Sequence, residues 1–197
     1  MTKRMARCPW PTVDDPLYLK YHDEEWGVPV HSDRTIYEFL VLETFQAGLS
    51  WRTVLHKRSA FRAAFAGFDV RRVARFTTRD VARLLGNAGI IRNRQKIMAA
   101  INNANRFLEV QKAFGTFATY MWSWVSHRPL VHRFRALQDY PPYTDEAVAW
   151  AKDLKRRGFS FMGPTVVYAH MQAVGMVNDH TVDCFRYSML ARRVAGT

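Results

Sequence analysis

The sequence predicts an all-α protein. Apolar residues recur at three- and four-residue spacing through most of the chain, helix-capping side chains stand before those runs, and no apolar–polar alternation is long enough for a sheet strand. Asp15-Pro16 opens a first helix carrying Leu17, Tyr18, Tyr21 and His22, with proline in the early position that tolerates it. Ser32 or Asp33 caps a second, in which Ile36, Phe39, Leu40 and Glu43 share helical spacing. Gln46-Ala47-Gly48-Leu49 interrupts it, and Ser50 caps a third through Trp51, Val54, Leu55 and Phe61. Short helices start at Asp69 and at Thr77, where Thr77 and Asp80 form a capping box with Asp in place of Glu. Longer helices are expected near 92–114 and 117–125. Beyond Pro141-Pro142, another begins at Thr144-Asp145-Glu146 and ends in the basic turn before Gly158, and a last one runs from Pro164 towards Val174 and closes at Gly175.

No repeat or low-complexity linker divides the chain. Its 197 residues, 48% hydrophobic and 23% charged, suit a single globular domain over 1–197. No run approaches the roughly 20 apolar residues that cross a bilayer. The N-terminus, Met1 to Cys8, is basic without an apolar run behind it, unlike a secretory signal. A cytoplasmic monomer with no membrane partner is expected. Lys and Arg number 29 against 17 Asp and Glu, a net charge of +12. A domain this basic attracts polyanions, of which nucleic-acid backbones are the commonest.

Residues 84–97 place a glycine-containing turn between two helices, the second starting near Arg92. A helix N-terminus carries unpaired N–H groups and a positive dipole end, so it can hold a phosphate. Gly86 and Gly89 allow positive φ and close backbone approach, while Arg92, Arg94 and Lys96 add charge. This fits a helix-hairpin-helix element near 80–97 that grips DNA backbone without reading bases. An ordinary helix corner whose glycines only make the bend has the same local pattern, and the net charge favours the DNA reading.

His180 and Cys184 lie at i and i+4, one face of a helical turn, and Cys8 and His22 form a second pair. Together they make a Cys₂His₂ set, sound for a closed structural zinc site tying the two ends of the chain. Buried free thiols beside satisfied histidines are the alternative. Glu43 lies in an apolar helix shortly before Trp51, and residues 18–26 are rich in aromatic faces. An enzyme that acts on a base must unstack it, hold it between aromatic faces and hydrogen-bond its edge. An ionised Glu43 could accept such hydrogen bonds and favour a cationic purine. The same residues at helical spacing also suit a plain core.

Several runs decide between these readings: Tyr21-His-Asp-Glu-Glu-Trp-Gly-Val-Pro29, Leu42-Glu-Thr-Phe-Gln-Ala-Gly-Leu-Ser-Trp51, Asn87-Ala-Gly-Ile-Ile-Arg92, Lys155-Arg-Arg-Gly-Phe-Ser-Phe-Met-Gly163 and Met176-Val-Asn-Asp-His180. In this order, across nearly the whole chain, the sequence resembles the 3-methyladenine DNA glycosylase I (Tag) family. The resemblance implies the helix-hairpin-helix superfamily fold and one structural zinc held by Cys8, His22, His180 and Cys184. It also implies that Glu43 and Tyr21 contact the excised base and that Trp51 stacks on it, with Tyr18, Trp10 and Trp26 shaping the pocket. The implied partner is double-stranded DNA containing alkylated adenine. Thr44-Phe45 after Glu43 depart from the Gly-Gln that members can carry, which bears on pocket size. The basic tail after Tyr187 has no family likeness.

Many glycosylases of that superfamily place an aspartate about one helix beyond the hairpin. Here no Asp lies between Asp80 and Asp139, and Glu109 is the interval's only acidic residue, so no strong carboxylate assists unless Glu109 serves. Removal of the base is then expected to rely on a cationic, labile substrate that the protein binds, desolvates and orients. Lys96 allows Schiff-base lyase chemistry in principle, but the family is monofunctional. A DNA-binding module without excision and a helical zinc protein that binds RNA are the competing classes. Release of free 3-methyladenine separates them.

Overall fold

The second helix organises the fold because nearly every residue in it is apolar and its ends are well capped. In the computed structural model of the protein, which describes residues 6–11 and 14–195, the helix spans Asp33–Gln46, capped by the Ser32 hydroxyl. Residues Ile36 to Phe45 are all buried, so it packs among neighbours on every side. The basic lead-in at residues 1–5 and the last residues of the tail lie outside the described residues.

In chain order the helices are α1 (Pro16–Lys20), α2 (Asp33–Gln46), α3 (Trp51–Ala64), α4 (Val70–Val73), α5 (Thr78–Gly86) and α6 (Arg94–Phe114). They continue with α7 (Phe117–Ser123), α8 (Asp145–Arg156), α9 (Pro164–Ala173) and α10 (Phe185–Ala195). α2 packs against α3, α6, α7 and α9; α6 also meets α4 and α5, and α8 lies on α9. Caps fall where the sequence puts them: Asp15 on α1, Ser50 on α3, Asp69 on α4, the Thr77/Asp80 box on α5 and Thr144 on α8. The sixth helix starts at Arg94, with Asn93 as its cap, two residues later than the pattern suggests.

Three features differ from the sequence reading. α1 runs directly into a π-helical turn, Tyr21–Glu25, closed by Trp26 N–H on the Tyr21 carbonyl at 2.9 Å. The chain after Tyr187, for which the sequence offered no helix, continues α10, which buries Leu190. The helical fold also holds a parallel two-residue ladder, β1 (Leu130–Val131) on β2 (Val177–Asn178). So short a ladder leaves no alternating pattern to detect.

That ladder lies just before the His180 segment, and α9 reaches it through a close approach of backbones. Gly175 has φ +72, and a Cβ there would lie 2.3 Å from the Val28 carbonyl carbon. Only glycine fits. Gly27 N–H donates to the Gln172 carbonyl and Val30 N–H to the Val174 carbonyl, both at 3.0 Å, which brings Trp26 beside the C-terminal segment. The chain ends meet as well, where Phe185 N–H donates to the Ala6 carbonyl at 2.9 Å.

Candidate active site and metal centre

The π-turn sends two adjacent side chains to two different sites. Tyr21 lines a cavity of about 180 Å³, while His22 joins a buried cluster behind it. π-Turns inside helices occur often at functional positions because they re-aim a side chain without breaking the helix.

All six pocket residues named from the sequence line this cavity: Glu43, Tyr21, Trp51, Tyr18, Trp10 and Trp26. The walls are aromatic. Tyr21 and Trp51 have centroids 5.2 Å apart, Trp10 and Tyr18 5.3 Å, and Trp10 and Trp26 meet edge-on at 4.9 Å. The indole N–H groups of Trp10 and Trp51 are buried without an acceptor among the described residues. Gln46, Leu137, Tyr140, Ala169 and Gln172 complete the lining. Gln46 was legible, lying three residues beyond Glu43 on the same helical face. The others come from distant segments that no local pattern links to α2. Thr44 and Phe45 are fully buried and do not line the cavity; Phe45 packs on Phe61 and Phe65, at 4.8 and 5.9 Å. Their departure from the family pattern falls in the core.

Glu43 is the cavity's one carboxylate among the described residues. It is 4% exposed and makes no hydrogen bond or ion pair among them. Burial without a partner penalises its charged form and pushes its pKa up to about 8. The Tyr21 phenol is raised too, by burial first and by the charge of Glu43 second. Burial thus favours the protonated form of Glu43 more than it would for an exposed carboxylate. A cation would draw out the ionised form.

Behind the aromatic wall, Cys8, His22, His180 and Cys184 are all buried, with ligand atoms within 4.8 Å of one another. His180 Nδ1 lies 3.4 Å from both Cys8 Sγ and Cys184 Sγ, and His22 Nε2 lies 3.6 Å from Cys184 Sγ. Each imidazole is held from behind. His22 Nδ1 is 2.8 Å from the Asp23 carboxylate, which Arg7 anchors, and His180 Nε2 is 3.0 Å from the Trp26 carbonyl. Those partners take the far N–H groups, so both inner nitrogens can present lone pairs. The neighbouring thiols shift one another in opposite directions, Cys8 up and Cys184 down. Two thiols and two oriented imidazoles around one point fit a closed tetrahedral zinc site. The cluster also supports the cavity, since Trp10 packs on His22 at 5.1 Å and Trp26 on His180 at 4.6 Å.

The hairpin joins α5 to α6 through residues 87–93. Asn87 Oδ1 accepts from Gly89 N–H at 2.8 Å, and Lys57 Nζ reaches the Ala88 and Gly89 carbonyls at 3.2 and 3.3 Å. Gly86 and Gly89 do not use the positive φ that glycine allows. A Cβ on Gly89 would lie 3.0 Å from Ala60 Cβ and from Asn87 Oδ1, so those neighbours would have to give way. Arg92 and Arg94 are exposed and have no ion-pair partner among the described residues. Lys96 differs. Expected to meet phosphate, its side chain instead turns inward and donates to the Phe45 and Ala47 carbonyls at 2.9 and 2.5 Å, because the unpaired end of α2 lies beside it. Glu109 is exposed, pairs with Arg106 at 2.9 Å and lies outside the cavity.

The family model described as methyladenine glycosylase matches residues 10–187. DNA-3-methyladenine glycosylase 1 of Escherichia coli is 47% identical over 183 residues, 93% of this chain and 97% of that protein. DNA-3-methyladenine glycosylase of Haemophilus influenzae is 42% identical over 179 residues, 91% and 96% of the two chains. Among solved structures, 3-methyladenine DNA glycosylase I superposes with a TM-score of 0.88 at 48% identity, over 91% of this chain and 98% of that one. A variant of such an enzyme in complex with 3-methyladenine gives 0.89 at 36% identity, over 93% and 98%.

Proposed function

The chain belongs to the methyladenine glycosylase family, and on that premise we propose that it is a monofunctional DNA repair glycosylase that hydrolyses the N-glycosidic bond of 3-methyladenine in alkylated duplex DNA. The observation that carries this reading is Glu43: a buried carboxylate with no partner among the described residues, facing a cavity walled by aromatic rings. An unpaired buried carboxylate destabilises a fold, so its retention points to a ligand that completes it. A cationic purine with an exocyclic amino group does so. Glu43 ionises, accepts the amino hydrogen bond and balances the ring's charge, while Tyr21 and Trp51 hold the ring faces.

Hydrolysis follows from the leaving group. N3-methylation makes the purine cationic, so when the C1′–N9 bond breaks the electron pair returns to the ring and a neutral base departs. Water adds at C1′ and loses a proton to solvent, leaving an abasic site. Among the described residues no carboxylate beyond Glu43 lines the cavity to assist the sugar cation. The protein's work is extraction, desolvation and orientation of the base. The amide N–H groups at the start of α6, with Arg92 and Arg94, hold phosphate in the manner of a helix-hairpin-helix element. Cys8, His22, His180 and Cys184 would hold one zinc, which when bound supplies folding energy and fixes both chain ends. We further read the chain as a single-domain cytoplasmic monomer.

The test is incubation with methylated duplex DNA and chromatography of the supernatant. Free 3-methyladenine should appear from methylated DNA, and no base from undamaged DNA. Tight DNA binding without base release would identify a module that has lost excision.

A further inference from the structure

Lys96 has its backbone at one functional element and its ammonium at another. Its N–H donates to the Asn93 side-chain oxygen at 3.1 Å in the first turn of α6, the end that faces phosphate in the reading above. The residue is 7% exposed, and Nζ donates to the Phe45 and Ala47 carbonyls. Phe45 lies in the last turn of α2, where carbonyls have no partner within the helix, and Ala47 is the residue that caps it. No carboxylate pairs with the ammonium among the described residues. Burial accordingly lowers its pKa. Burying an ammonium against carbonyls alone is a costly way to finish a helix that a glycine or water could finish.

The clamped segment joins two cavity-lining stretches. Glu43 stands just before it, Gln46 within it and Trp51 after it. Gly48 turns the chain with φ +80, Leu49 N–H returns to the Gln46 carbonyl at 2.6 Å, and Ser50 caps the helix that begins with Trp51. We propose that Lys96 is a positioning residue that couples the hairpin's hold on DNA to the shape of the base cavity, by clamping the 45–47 backbone to the first turn of α6. When phosphate orders that turn, the clamp orders the segment between Glu43 and Trp51. This rests on reading the chain as a DNA glycosylase.

Lys96→Met keeps the stem and removes the donors. On saturating methylated duplex, its single-turnover excision should slow at least tenfold, with zinc content, undamaged-DNA affinity and the salt slope unchanged. If instead affinity falls and the salt slope drops by about one, Lys96 contacts phosphate and the proposal is wrong. If only thermal stability falls and the saturating rate is unchanged, it is a structural cap and the proposal is equally wrong. Amide hydrogen exchange provides a readout free of chemistry. Undamaged duplex should slow exchange at residues 45–50 of the parent protein, and of Lys96→Met far less. Absence of that slowing in the parent overturns the coupling, even where the variant does not fold. Failure of the parent to excise counts against the glycosylase reading alone.

Discussion

Glu38 and Glu43 lie just over one turn apart on α2, both withdrawn from solvent, and only Glu38 has partners among the described residues. Arg58 and Arg62 donate to Glu38 Oε1 at 2.6 and 2.8 Å, whereas Glu43 faces the cavity alone. One carboxylate is paired within the fold; the other has no such partner among the described residues.

That difference predicts a stability cost at Glu43. Its folded pKa is about 8 against an ordinary 4.5, so the folded state keeps a proton that the unfolded chain releases. Stability is favoured below about pH 4.5 and lost as pH rises towards 8. Glu43→Gln should therefore stabilise the protein at pH 8 by a few kcal/mol, about 1.4 kcal/mol for each pH unit between the folded and unfolded values, and change little at pH 4.5. Thermal melts of both proteins across that range check it. A variant less stable than the parent at pH 8 contradicts the assignment.

Binding of a cationic base should release the same proton. Affinity for methylated duplex should then rise with pH, up to about tenfold per pH unit below pH 8, and level off above it. Titrations at pH 6, 7 and 8 measure this. Undamaged duplex is the control, since its affinity does not depend on Glu43.

Disrupting the Cys8, His22, His180 and Cys184 cluster should affect both stability and base recognition. The sequence alone suggests that Cys184→Ala harms stability far more than recognition. The contacts of Trp10 with His22 and of Trp26 with His180 tie the cavity wall to the cluster. Elemental analysis should give one zinc per chain. Chelation should lower the melting temperature and weaken free 3-methyladenine binding together, while an unchanged base affinity would separate the two sites.

At the hairpin, Arg92→Ala and Arg94→Ala should weaken binding equally on all duplex sequences. Each should flatten the salt dependence by about one unit per lost phosphate contact. Sequence-selective loss would argue for base reading instead.

His170 is fully buried, and neither ring nitrogen has a partner among the described residues. Burial holds its pKa at about 3, so below pH 6.5 the unfolded chain takes a proton that the folded protein refuses. Its contribution is complete above pH 6.5 and is lost as pH falls towards 3. His170→Phe should flatten stability over that interval, as measured by denaturant unfolding at pH 4 and 7.

Helix positions were legible because caps and apolar spacing are local: Asp15, Ser32, Ser50 and Asp69 mark their helices in the sequence as in the structure. The residues of the cavity and the cluster were named through family motifs, since spacing alone cannot bring Cys8 to Cys184. What stayed hidden depends on tertiary packing. Lys96 has the composition of a phosphate contact, and only the proximity of the α2 terminus turns it inward. Tyr140 and Gln172 reach the cavity from segments whose approach to α2 no local pattern records. The raised pKa of Glu43 arises from an absent partner, which a sequence does not display.

The central claim is that Glu43 reads the extracted base, and single-turnover excision of 3-methyladenine by the parent and by Glu43→Gln tests it most directly. Glutamine keeps the shape and removes the charge, forfeiting a charge-assisted hydrogen bond worth about 1.5–3 kcal/mol, roughly tenfold to a hundredfold. The expected result is slower excision and weaker free-base binding by about that factor, with zinc content and undamaged-DNA affinity unchanged. Excision by Glu43→Gln at the parent rate would contradict it and reduce Glu43 to a core residue.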